Sequence, residues 1–324
     1  MEGNGREGYW PDRGRRRGKP EPIASKTKGA CERRVRNSVV GRRMDCLTVQ
    51  LVEELQGIVP DRGRIEAIVS GLRGATLPGI VEYGCLRWAN RDYIPPLPSA
   101  IAESSLGLAM REVRSELGLR SSGPPKSPMR RLDEQPVEFH VVESEEDLEQ
   151  EELSLFLLRF ERSAKGAGFS AQAAARLHAA LHAMAENAVI HANAPIGALV
   201  GYRIADGLAQ FCVGDVGIGV LASLRTCPDY AGLSLHNEAI KMALRDGTSR
   251  FGHGQGGFGF RQVFKALAEQ WGYLRFRSGE GCITMDGTGL DSDTGVESYT
   301  PLMPGFQVSV CCRVSENAPV SPLA

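Results

Sequence analysis

A mixed α/β fold, an α+β two-layer sandwich of sheet and helices, is predicted for the second half of this chain on three observations. Strand-like and helix-like patterns follow one another in mixed order from Val137 to Val314. A long helix over Ala171–Ala192 opens on a good N-cap, Ser170, and ends at Asn193 and Pro195. Two strand-like runs, Ala198–Ile204 and Leu208–Val213, flank Asp206-Gly207, a strong hairpin signal.

Composition bounds the rest. The chain has 324 residues, 42% apolar and 24% charged, which is ordinary for a globular protein and long enough for two domains. Lysine and arginine (38) nearly cancel aspartate and glutamate (39), so no whole-chain field dictates a nucleic-acid partner. No apolar run approaches a membrane span, and no apolar stretch follows the basic N-terminal residues as a secretory leader requires. The eight cysteines (Cys31, Cys46, Cys85, Cys212, Cys227, Cys282, Cys311, Cys312) contain no CxxC pair. That argues against a zinc site or disulfide framework and for a cytoplasmic location.

Residues 1–43 carry eight more basic than acidic residues among glycine and proline, and are expected to be a disordered basic tail. It reads as a solvated tail, as a nucleic-acid contact, or as sequence ahead of a start at Met44. Residues 44–120 are expected to be a mostly helical module of unknown role. Val49, Leu51, Val52 and Leu55, then Ile65, Ile68, Val69 and Leu72, carry the helical spacing, and a further helix is expected from Ala102 towards Gly118. Cys85 and Trp88 read as core or partner contacts. Residues 121–136, rich in Ser, Pro, Gly and Arg, read as a linker, and 317–324 as a disordered tail. Between them, 137–316 form the principal domain. A strand at Val137–Val142 leads into an acidic run suited to a helix start. After the hairpin come helices near Asn237–Arg245 and Gly259–Gln270, and strands near Tyr273–Arg277, Cys282–Met285 and Gln307–Val314. A long loop, Asp286 to Pro304, precedes the last of them.

Three motifs carry chemistry. On the long helix, Asn187 and His191 lie four apart and share a face, in Glu186-Asn187-Ala-Val-Ile-His191. An amide oxygen there suits a hydrated magnesium ion, which keeps several waters and takes few protein ligands. A polar stripe facing water is the plainer reading. Next, an apolar strand runs into Asp215-Val-Gly217-Ile-Gly219, where a carboxylate can accept from an exocyclic amine and glycines admit close backbone approach. A turn after a strand explains the same residues. Third, Gly252-His-Gly254-Gln-Gly256-Gly257-Phe-Gly259 runs into a helix, a pattern that can cradle phosphates. Gly252, Gly254 and Gly257 also fit G-x-G-x-x-G. A dinucleotide site needs a strand just before that motif, and Lys241–Arg250 is helical and then polar.

Taken together, the three motifs resemble the histidine-kinase-like ATPase superfamily with the Bergerat nucleotide fold, over about Val137 to Val314. The chain looks closest to the compact serine-kinase and anti-sigma-factor type. The resemblance implies ATP with Mg²⁺, Asn187 as the metal ligand and Asp215 as reader of the adenine amine. Gly217 and Gly219 would line the adenosine pocket, and Gly254, Gly256, Gly257 and Gly259 would hold phosphates. Val220–Gly252 would form a lid, on which Arg250 or Lys241 neutralises phosphate charge. The carboxylate that such enzymes carry one turn before the asparagine is Ala183 here. Glu186, the nearest carboxylate in sequence, lies about 100° around the helix from Asn187. As a catalytic base it is a weak candidate. The expectation is a nucleotide-binding regulatory protein with slow or absent hydrolysis or serine phosphotransfer, a regulatory protein partner, and a homodimer as one assembly open to it. The rival is a non-catalytic protein- or DNA-interaction module on a degenerate nucleotide fold.

Overall fold

The computed structural model describes residues 45–102, 104, 106, 131–132, 135–194, 196–205, 207–244, 272–286 and 295–314. The basic tail, most of the helix expected after Ala102, and the terminal residues after Val314 lie outside them.

The first three N-terminal helices each begin on a side-chain cap. A two-residue strand β1 (Cys46–Leu47) leads to α1 (Val49–Gly57), where Thr48 Oγ1 accepts from Leu51 N–H at 3.3 Å. Asp61 caps α2 (Arg62–Ser70) in the same way. Then β2 (Gly74–Ala75) pairs in parallel with β1, and Thr76 caps α3 (Leu77–Ala89). A Cβ at Gly79 would stand 2.2 Å from the Leu47 carbonyl oxygen, so only glycine lets α3 start this close to β1. A short α4 (Ser99–Ala102) follows.

The second half contributes one antiparallel sheet. A two-residue strand β3 (Arg131–Leu132) pairs with β4 (Gln135–Val142), so strand reaches into the stretch expected to be linker. After a 3-10 turn at Glu146–Glu149 come α5 (Glu151–Gly166) and α6 (Ala171–Ile190). The hairpin of β5 (Ala198–Ala205) and β6 (Leu208–Asp215) turns on Gly207, whose φ of 73° is in the left-handed region. Then follow α7 (Gly219–Leu224), a 3-10 turn at Pro228–Tyr230, α8 (His236–Leu244), β7 (Tyr273–Asp286) and β8 (Val296–Arg313). The sheet order is β3-β4-β5-β6-β8-β7.

Two sequence expectations change here. The long loop expected from Asp286 to Pro304 is strand from Val296 onward, paired with the outer half of β7. Its Ser, Thr and Gly content hides the pattern, because this half of β8 is exposed and lacks an apolar face. Beyond Gly214↔Gln307, β8 pairs with β7 alone, so the two form an arm running past β6. The two layers expected of the second half, sheet and helices, are joined by a third from the N-terminal helices. One face of the sheet (Val200, Tyr202, Phe211, Val213, Phe276, Val308) packs on α5, α6 and α8. The other (Phe139, Val141, Leu199, Cys212, Met303) packs on α1 to α3, making the sheet the middle of three layers. Gly201 and Gly214 belong to this second face, with the Phe139 ring over the first and Cys85 Sγ over the second.

A buried ionic cluster fixes the N-terminal helices to the sheet. Glu82 of α3 takes Arg275 on one carboxylate oxygen and Arg277 on the other, the latter at 3.2 Å. Arg275 also reaches Glu53 of α1 at 2.5 Å. Arg277 completes its valences on the Pro301 carbonyl (2.7 Å), Thr300 Oγ1 (3.1 Å) and Gln56 Oε1 (3.3 Å). No helix among the described residues is long and apolar enough to cross a membrane.

Candidate functional site

The end of α6 and the end of β6 come together. Ser170 Oγ accepts from Ala173 N–H at 3.1 Å, and the helix buries Leu177, Leu181, Met184, Ala185 and Ala188 against the sheet. That rotation leaves Asn187 at the margin of the buried face, with its Nδ2 hidden from solvent and bonded to nothing among the described residues. Ala183, one turn earlier, is buried and offers no proton acceptor. Glu186 sits on the more open flank, 3.9 Å from His182 Nδ1.

Past the helix, Asn193 takes a φ of 46°, turning the chain back into β5. The Ala192 carbonyl then accepts from Ile218 N–H at 2.8 Å. A Cβ at Gly217 would lie 2.0 Å from that same oxygen. The Asp-x-Gly-x-Gly turn is therefore seated directly on the C-terminal end of the asparagine-bearing helix, and glycine at 217 is what permits it.

Asp215 is fully buried. Its Oδ1 accepts from Gly217 N–H at 2.7 Å and its Oδ2 from Phe306 N–H at 3.3 Å. Gly305, with φ 73°, closes over it: a Cβ there would meet Asp215 Oδ1 at 2.4 Å. No cation pairs with Asp215 among the described residues. Burial pushes its pKa up from 3.8 to about 7, against the two N–H donors that pull it down.

The stretch after the turn, read as a lid, has a small apolar cluster of its own: Leu221, Leu224, Cys227, Tyr230 and Ala239. Lys241 on α8 pairs with Glu297 of β8. Arg250 and the loop glycines Gly254, Gly256, Gly257 and Gly259 lie outside the described residues, as do Gly252 and His253.

Neither a protein-family model nor a curated protein matches this chain. Its functional reading accordingly rests on the residues themselves.

The turn also walls a cavity of 310 Å³. Gly217 and Gly219 line it, together with Ser278 and Gly305 from β7 and β8, while Asn187 and Asp215 do not. Sequence reasoning missed Gly305 and Phe306, which lie some ninety positions from the carboxylate they close over. It also missed the Glu82 cluster, whose arginines look like solvated strand residues until the packing of α3 is known.

Proposed function

We propose that this chain is an ATP–Mg²⁺-binding regulatory protein of the histidine-kinase-like class, built on a Bergerat fold and acting in the cytoplasm. The observation that carries the reading is the seating of the Asp215 turn on the end of the Asn187 helix, with Asp215 fully buried, the Asn187 amide nitrogen hidden from solvent, and neither paired with a charged group among the described residues. An ionised carboxylate offers about four acceptor sites, and backbone N–H groups take two of them on Asp215. An exocyclic amine is a donor that fits the remainder. Gly217 and Gly219 bring bare backbone to the same place, and the Asn187 amide nitrogen has no hydrogen-bond partner among the described residues.

With ATP bound, Asn187 would hold magnesium through its oxygen, and the metal would supply neutralisation of phosphate charge. The chain's own contribution is recognition. Asp215 selects an amine-bearing base, and the segment 220–244, with its own apolar cluster, responds as a unit. Ordering of such a segment by phosphate contacts changes the surface offered to a protein partner. Ala183 provides no base within reach of a water or hydroxyl, and Glu186 lies beside His182, so turnover is slow or absent.

A second reading, a non-catalytic interaction module on the same framework, is favoured by the burial of Asp215 on the backbone N–H groups of Gly217 and Phe306, which gives the carboxylate a structural role. Thermal stability separates the two. A ligand of the native state raises the melting temperature with its concentration. Millimolar ATP with magnesium is expected to raise it in the wild type, and Asp215→Asn and Asn187→Ala are each expected to shrink the shift. No shift in the wild type would leave the interaction module.

A further inference from the structure

The outer side of α5 carries two large apolar residues open to solvent. The helix buries Leu153, Phe156, Leu157, Phe160 and Ala164 against the sheet and α6. At about 100° per residue, Glu151, Leu155, Leu158 and Arg162 fall within about 40° of the direction opposite that buried face. All four are exposed, and Leu155 and Leu158 stand 42% and 50% open. Two leucines one turn apart make a patch, where single surface apolars would need no explanation. Counted with the flanking charges, the steps of four, three and four residues are those of a seam on which another helix packs.

The charges around the leucines are sorted along the helix. Glu151 and Glu152 fill the first turn and Lys165 stands in the last. Lys165 is taken by Glu161 at 2.6 Å, and Arg159 by Glu138. Glu151 and Arg162, the two ends of the stripe, have no ion-pair partner among the described residues. A second α5 laid antiparallel on this one sets Glu151 of each copy against Arg162 of the other, and Leu155 against Leu158. Both pairings share one midpoint, between Phe156 and Leu157, so a single two-fold axis satisfies them together. The helix dipoles then oppose as well. A parallel arrangement sets Glu151 on Glu151 and Arg162 on Arg162. The stripe is complementary to itself in one orientation.

We propose that this face pairs two copies of the chain through antiparallel α5 helices about that axis. The leucines form the dry centre of the contact and the Glu151–Arg162 pairs its ends. With 16 residues the helix is about 24 Å long, so a contact confined to it falls below the roughly 1,200 Å² of a stable interface. Association is accordingly weak and develops only at high protein concentration.

Sedimentation velocity on the full chain, from micromolar to near-millimolar protein, is expected to show a monomer–dimer equilibrium. Leu158→Asp is expected to weaken it by about tenfold or more, because a charge enters the dry centre. Leu155→Asp takes its place should that variant melt early. Glu151→Arg and Arg162→Glu are each expected to weaken association about fivefold, through like charges across the axis. An equimolar mixture of these two variants is expected to associate as the wild type does, because each then meets its opposite. Their melting temperatures are expected to stay at the wild-type value, since both positions are exposed. A chain that stays monomeric throughout overturns the proposal and leaves the face to a different protein. So does a dimer that survives the aspartate variants, or a mixture that associates no better than its components.

Discussion

A carboxylate sealed at the end of β6 without a counter-ion ties stability to pH. In the unfolded chain Asp215 titrates at its ordinary value of 3.8; in the folded chain burial raises it to about 7. The folded state therefore holds the proton more tightly. The resulting stability is fully present below about pH 4 and is lost as pH rises through 7. At 1.36 kcal/mol per unit the span is roughly 4 kcal/mol. Urea unfolding of the ligand-free protein from pH 4 to 8 is expected to show this decline in the wild type and to lose it in Asp215→Asn. A wild-type-minus-variant difference that stays flat across that range contradicts the assignment. Asp215 itself was legible in the sequence, because an apolar run ending in Asp-x-Gly-x-Gly is a local pattern. Its lining was not: Gly305 and Phe306 come to it through strand pairing, which no local spacing encodes.

At the level of elements, α6 was readable almost residue for residue, ending at Ile190 where the sequence suggested Ala192. Ser170 and the apolar spacing carry that information locally. By contrast, β8 was half hidden because its outer residues face solvent. The Glu82 cluster was hidden altogether, since it joins three elements far apart in the chain. It also makes a sharp prediction. Among the described residues, removing Glu82 leaves Arg277 without an acidic partner and Arg275 with Glu53 alone. Breaking a buried ionic group by deleting one partner costs about 3–5 kcal/mol. Glu82→Ala is expected to lower the denaturant midpoint accordingly. Replacing Glu82, Arg275 and Arg277 together with apolar residues of similar volume is expected to cost much less. Equal losses in the two variants would mean that packing of the side-chain stems, not charge, holds α3 to the sheet.

For the molecule as a whole, the N-terminal helices are structural before they are anything else. They cover the second sheet face, where Phe139, Val141, Leu199, Cys212 and Met303 would otherwise meet water, and they supply both acids of the arginine cluster. A chain begun at residue 131 is expected to lose near-UV circular dichroism and cooperative melting, the mark of lost tertiary packing. A sharp thermal transition from that fragment would show that the sheet and its other helices suffice. The sequence suggested a helical module here but not its seat, because Leu and Val at helical spacing say which face is apolar and not what it meets.

The arm of β7 and β8 carries one last implication. Where β8 leaves β6 behind, one edge of the strand has no paired strand among the described residues. Naked strand margins invite foreign chains to add themselves by backbone bonding. Here Pro301 and Pro304 withhold amide hydrogens, the Pro301 carbonyl is engaged by Arg277, and Glu297 is neutralised by Lys241. The limb can keep an unpaired edge without stitching one molecule to the next.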